Sequence, residues 1–135
     1  MPKAATILTQ LGLAFLTGGM VFFGAIVAPL VFTQLPPDIA GPFIRTMFPF
    51  YYAYLTATAL LATIGYALSR RRVSVFVSAS IAVVAVMLWF WLIPELDALR
   101  LAGNAAGFAR GHTFSVWVNF AQLLAALSLL IRAAV

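Results

Sequence analysis

Four long apolar stretches dominate the chain, each bounded by charges or by helix-stopping residues. No Asp, Glu, Lys or Arg falls in the 34 residues from Ala4 to Pro37. The later gaps run 24 residues from Thr46 up to Arg70, 22 from Val73 to Pro94 and 19 from Thr113 to Ile131. A helix rises ~1.5 Å per residue, so about 20 residues cross a hydrocarbon core ~30 Å thick. Each stretch therefore predicts one span. The first is too short for two spans and a turn, and Leu35-Pro36-Pro37 stops it. It also exceeds the apolar core of a cleaved signal, roughly 7–15 residues, and no clean small-x-small site follows, so it reads as a retained span. The predicted helices cover about 4–34, 39–69, 73–100 and 107–133. Asp38 is the expected N-cap of the second, Pro94 bends the third, and Gly103 to Gly107 is the expected loop before the fourth. The fold class is all-α: an integral membrane four-helix bundle, read as a single domain over residues 1–135.

Charge sets the expected orientation. Lys3, Arg70, Arg71, Arg72 and Arg132 fall on one side. On the other side Arg45, Arg100 and Arg110 are balanced by Asp38, Glu95 and Asp97. The positive-inside rule then places both termini and the 70–72 turn in the cytoplasm, as in a multi-pass protein of the cell membrane. Tyr51, Tyr52, Tyr54, Trp89, Trp91 and Trp117 lie in the outer parts of their helices, as an interfacial belt would.

Composition agrees with lipid as the solvent. Hydrophobic residues make up 64% of the chain and charged residues 8%, against about a quarter charged in an ordinary soluble domain. The basic excess forms no solvated face with interleaved aromatics, so no nucleic-acid partner is expected; the bilayer is the expected partner. There is no cysteine, which removes disulfides, thiolate metal sites and cysteine nucleophiles.

Two patterns bear on packing. On the first helix Ala14, Gly18, Val21, Ala25 and Ala28 step by 4, 3, 4 and 3, a small-residue face suited to close helix approach. Ser78, Ala82 and Ala85, and Ala121, Ala125 and Ser128, resemble it. Separately, Pro29 precedes Phe43 by 14 residues and Arg45 by 16, and Pro94 precedes Phe108 and Arg110 by the same spacings. The fragments AGPFIR at 40–45 and AAGFAR at 105–110 suggest two repeated helical hairpins offset by 65 residues, in parallel orientation.

Candidate chemistry sits on the fourth helix. Phe108, His112, Ser115, Asn119 and Gln122 share one face. Polar groups turned to lipid are costly, so this stripe is expected to meet other helices or a wet cavity. Interhelical hydrogen bonding and a ligand site both account for it. The stretch MFPFYYAY at 47–54 lies on the same side, where Pro49 leaves a carbonyl that Tyr51, Tyr52 or Asn119 can reach. Met20, Met47 and Met87 are candidate soft ligands beside a metal-binding His112. No glycine-rich phosphate loop, intramembrane carboxylate pair or His-Glu-x-x-His motif is present.

The run GGMVFFGAIVAPLVFTQLP at 18–36, MFPFYY at 47–52 and the pattern F-x-x-x-H-x-x-S-x-x-x-N at 108–119 resemble small membrane proteins related to transmembrane protein 205, also grouped as domain of unknown function 4149. His112, Ser115 and Asn119 match that pattern residue by residue. The resemblance implies a four-helix membrane protein and no settled activity. A more distant similarity to copper-resistance membrane domains would make the protein haem- or metal-binding, although that group uses several histidines and this chain has one.

The expected function is a small transport or permeation module with an outward-facing polar site: His112, Ser115 and Asn119, with Arg45 and Tyr52 from the second helix. A homo-oligomer would supply more room than four short helices enclose. The alternatives are haem or metal binding at His112 and a structural or assembly subunit of a membrane complex. An enzyme is the least expected reading, and no particular cofactor is indicated.

Overall fold

The computed structural model describes residues 2–135. Four helices of 30 to 32 residues run antiparallel: α1 (Lys3–Gln34), α2 (Pro37–Leu68), α3 (Arg72–Leu101) and α4 (Ala105–Ala134). All four are long and apolar enough to cross a bilayer. Among the described residues there is no strand. The short α1–α2 and α3–α4 joints share one end of the bundle, called here the hairpin end. The chain termini and the turn at 69–71 share the other, the terminal end.

The predicted boundaries lie within two residues of those observed, and the differences have local causes. The helix α2 starts at Pro37, with Pro36 extended before it (φ −57°, ψ 147°). Asp38 is thus in the first turn and does not cap. A proline at the first helical position loses nothing, because its missing N–H would be unpaired there anyway. The helix α4 starts at Ala105, not 107, because the Asn104 side chain accepts from the Gly107 N–H at 2.9 Å. The loop expected over Gly103 to Gly107 shrinks accordingly, with Gly103 at φ 72°. At the other end Arg70 takes φ 54°, an unusual conformation for a residue with a Cβ.

Each odd-numbered helix carries a wide turn just before its proline. A π-helical turn covers Phe23–Val27 ahead of Pro29, and a second covers Leu88–Leu92 ahead of Pro94. The two turns and the two prolines are all separated by 65 residues. A proline lacks the N–H for the regular ladder and its ring crowds the carbonyl four residues back; a widened turn relieves both problems.

The closest helix contact is between α1 and α2 in the terminal half. A Cβ placed on Gly12 would lie 2.5 Å from the Ala62 nitrogen and 2.9 Å from the Thr58 carbonyl oxygen. Gly65 of α2 is covered in the same way by Thr9 and Ala5. Further along, the Tyr54 ring lies over Gly19 and its hydroxyl donates to the Phe15 carbonyl at 2.7 Å. The packing face of α1 is therefore Ala5, Thr9, Gly12, Leu16 and Gly19. This corrects the expectation for the Ala14–Gly18–Ala25 face, which is exposed; a Cβ on Gly18 would meet nothing within 4 Å. On α3 the expected small face is right, since Ser78, Ala82 and Ala85 are buried. On α4 it is wrong: Ala121 and Ser128 are exposed, and Gln122, Ala126 and Leu129 turn inward.

The core is continuous through Leu16, Met20, Leu55, Ile81, Leu88 and Ala126. A second cluster of Leu13, Ala62, Tyr66 and Leu129 closes the terminal end. Tyr66 reaches across to donate to the Leu129 carbonyl at 3.3 Å. The helix α4 meets α1 only along Lys3–Phe22; past its π-turn, α1 contacts α2 alone. The hairpin half of the bundle is therefore open between α1 and α4.

Candidate functional site

That opening is a cleft of about 1150 Å³. Its α1 wall includes Val21, Gly24, Ala25 and Phe32, and its α4 wall includes Val116, Phe120 and Leu123. The α2 and α3 helices form its back. The walls are apolar, and polar groups occur at two levels only.

The first level is the rim at the hairpin end. Arg45 of α2 pairs with Asp97 of α3 at 3.6 Å, and Arg100 reaches the same carboxylate oxygen at 3.4 Å. All three side chains are partly exposed, so these pairs contribute little individually. Asp38 and His112 also line the rim. The His112 ring is exposed and stacks near-parallel on Phe108, with centroids 6.2 Å apart. Ser115 lines the cleft too, but its hydroxyl donates back to the His112 carbonyl at 2.7 Å.

The second level lies about two helical turns deeper. Asn119 of α4 donates through Nδ2 to the Ser115 carbonyl at 2.8 Å and to the Tyr52 hydroxyl at 3.3 Å. Its Oδ1 accepts from the Tyr51 hydroxyl at 3.2 Å. Phe23, in the π-turn of α1, stacks on Tyr51 with centroids 4.3 Å apart. Tyr51 and Tyr52 meet edge to face at 5.2 Å. This knot joins α2 to α4 and forms the polar part of the cleft floor, which the apolar Met20 and Leu123 complete. Below it the Gln122 amide donates to the Ile81 carbonyl at 3.0 Å, and the packed core follows.

Of the residues expected at the site, His112, Ser115, Asn119, Arg45 and Tyr52 all line this one cleft. Among these five, Asn119 to Tyr52 is the hydrogen bond that crosses from one helix to another; Ser115 to His112 and Asn119 to Ser115 are bonds within α4. The polar face of α4 divides: His112, Ser115 and Asn119 look into the cleft, while Gln122 turns to α3. Tyr51 and Tyr52 do not serve the Arg45 carbonyl freed by Pro49; their hydrogen bonds go to Asn119. Met20 lines the cleft, whereas Met87 is exposed off it. Among the described residues, no three His, Cys, Asp or Glu side chains gather as a metal site.

Asp97 is a rim residue that the sequence pattern did not single out as a ligand group. Its signal was the opposite charge of Arg45 at the matching end of the neighbouring helix. Phe23 carried no signal of its own, being one of 12 phenylalanines.

A bundle of four apolar helices with this sequence matches one family model, described as a domain of unknown function (DUF4149), over residues 11–105. The chain belongs to that family. An uncharacterized protein of Aquifex aeolicus (strain VF5) is 32% identical over 114 residues, covering 83% of each chain. No solved structure matches. The family match takes in α1 from Leu11 onward and all of α2 and α3, with the rim residues Arg45 and Asp97 and the floor residues Tyr51 and Tyr52. It ends at Ala105, the first residue of α4, so His112, Ser115 and Asn119 lie outside the matched segment.

Proposed function

We propose that this protein is a small membrane transport or permeation module that takes an amphipathic molecule into the cleft between α1 and α4. The observation that carries this reading is the shape of the cleft: open at the hairpin end and sideways between two helices, and floored by the Asn119–Tyr51–Tyr52 knot. A molecule with an apolar body meets matching walls, and its polar part meets Arg45 and His112 at the rim or Tyr52 and Asn119 at the floor. Sites of this kind are concave and mostly apolar, with a few convergent polar groups. The cleft ends blind, so movement through the protein requires the floor to part.

In this proposal the hairpin end is outside and the termini are cytoplasmic. The five uncompensated basic residues at the terminal end support it. The paired π-turns and prolines at a 65-residue spacing support two related hairpins, so that the α1–α2 and α3–α4 units can move against one another.

The absence of cysteine makes the orientation directly testable. Single cysteines at Asn104 and Ser69 are treated with an impermeant maleimide in intact cells; labelling at 104 and not at 69 is expected, and the reverse overturns the orientation. Transport is tested in proteoliposomes containing an uncharged fluorescent short-chain glycolipid and external dithionite. The wild-type protein should speed loss of the inner-leaflet signal, and Gly24→Trp, which fills the cleft, should not. Equal rates for the two would remove the transport reading.

A further inference from the structure

The hydrogen bonds at the floor of the cleft constrain the chemistry of what it receives. The Asn119 amide has one allowed orientation: the atom 2.8 Å from the Ser115 carbonyl oxygen must be the nitrogen, because an oxygen there would face another oxygen. Both Nδ2 protons are then used, one on Ser115 and one on the Tyr52 hydroxyl. Oδ1 receives the Tyr51 proton. Tyr52 therefore accepts a hydrogen bond, and its own proton has no acceptor among the described residues. The Tyr52 side chain is deeply buried, at 3% exposure, and lines the cleft. A buried hydroxyl donor is normally matched, and the cleft that Tyr52 lines is where an acceptor can enter.

Charge narrows the class further. The ionic residues lining the cleft are Arg45 and Arg100 against Asp38 and Asp97, two of each sign, and all lie at the rim. Nothing ionic lies at the floor. A charged group brought to that depth would have no counter-charge and would leave water behind.

We infer that the cleft binds an uncharged lipid-phase molecule carrying a carbonyl oxygen on an apolar tail, with the oxygen accepting from Tyr52 and the tail leaving between α1 and α4. This inference rests on the reading of the cleft as a ligand site. Two kinds of membrane molecule share that chemistry, a tailed quinone and a neutral glycerolipid ester.

The test uses the full protein in detergent, with binding followed as a rise in its thermal midpoint with added probe. The probes are decyl-ubiquinone and dioctanoylglycerol, each beside a carbonyl-free partner: a decyl-substituted benzene and the dioctyl diether of glycerol. Each carbonyl probe is expected to bind more tightly than its partner if it represents the natural class; a preference for one pair distinguishes quinone from ester. Tyr52→Phe keeps the ring and removes the donor, so it should weaken the carbonyl probe by about tenfold and leave the carbonyl-free molecules unchanged. Tyr54→Phe, which removes a hydroxyl away from the cleft, should weaken neither. An isotope-labelled carbonyl should show a lowered infrared stretching frequency when bound to wild type, and not to Tyr52→Phe. If the carbonyl-free molecules bind equally well and Tyr52→Phe changes nothing, the inference falls while the cleft reading stands. If no tailed molecule of either kind binds the wild-type protein, both fall.

Discussion

The two halves of the bundle solve the same packing problem in opposite ways. In the terminal half α1 and α2 come so close that Gly12 and Gly65 have no room for a side chain. The contact needs few polar groups, because backbone proximity supplies dispersion over a long seam. In the hairpin half α1 and α4 separate, and a polar knot of one asparagine and two tyrosines ties the remaining helices together. The apolar seam resists change because there is no free volume in it. The polar knot holds helices at a distance, and it leaves a space that something else can fill. In lipid, where apolar helix faces gain little by leaving the solvent, close packing and polar ties are the two available ways to hold helices together.

The sharpest way to break the contrast is Gly12→Leu. The added side chain must displace backbone at Ala62, so a loss of about 3 kcal/mol is expected, read as a fall in thermal midpoint in detergent. Survival of that variant at wild-type stability would mean that α1 and α2 are not seated as described. Next is Asn119→Leu, which strips partners from both tyrosines while keeping similar bulk. A loss of about 1–2 kcal/mol is expected, together with easier labelling of a cysteine placed at Ala126 by a water-soluble thiol reagent, because the floor is gone. A protected Ala126→Cys in that background would show that the knot is not what closes the cleft.

Smaller effects define the rim and the outer face. Asp97→Asn removes the carboxylate shared by Arg45 and Arg100, and a loss under about 1 kcal/mol is expected, shrinking as salt is added. A large, salt-independent loss would place these charges in a drier setting than their exposure indicates. Gly18→Leu should change stability by no more than about 0.5 kcal/mol, since its Cβ points into open space. A clear loss there would reveal a neighbour on the exposed face of α1.

The number and approximate ends of the helices were legible because charge-free length is a direct physical requirement for crossing lipid. The face that packs was not legible on α1. Ala14–Gly18–Ala25 and Ala5–Gly12–Gly19 are both small-residue faces, and periodicity cannot say which of two such faces meets a neighbour. On α3 only one small face exists, and there the reading held. The polar face of α4 was legible as a group that must avoid lipid, and its members do line a cleft or the core. Its division between Asn119 and Gln122 was not, since it depends on how far α4 leans from α1. The Asn104 cap was missed because the glycines on either side, Gly103 and Gly107, suggested a longer loop. The role of Tyr51 and Tyr52 was half visible: their position pointed to the right depth, but Asn119, not the carbonyl freed by Pro49, is their partner.

The π-turn in α1 sets the rotational phase of everything beyond it. One residue corresponds to about 100° around a helix, so a widened turn lets Ala28–Gln34 face a direction independent of Lys3–Phe22. Winding all five residues of Phe23–Val27 as a regular α-helix would turn Ala28 and Phe32 by about 100°, off the cleft wall, whereas deleting one of the five would leave them close to their present azimuth. The seat of Gly12 on Ala62, more than two turns earlier, would keep its azimuth. The wall lining the cleft and the seam holding the bundle can thus be re-angled separately, with the wide turn acting as the joint at which their phases are uncoupled.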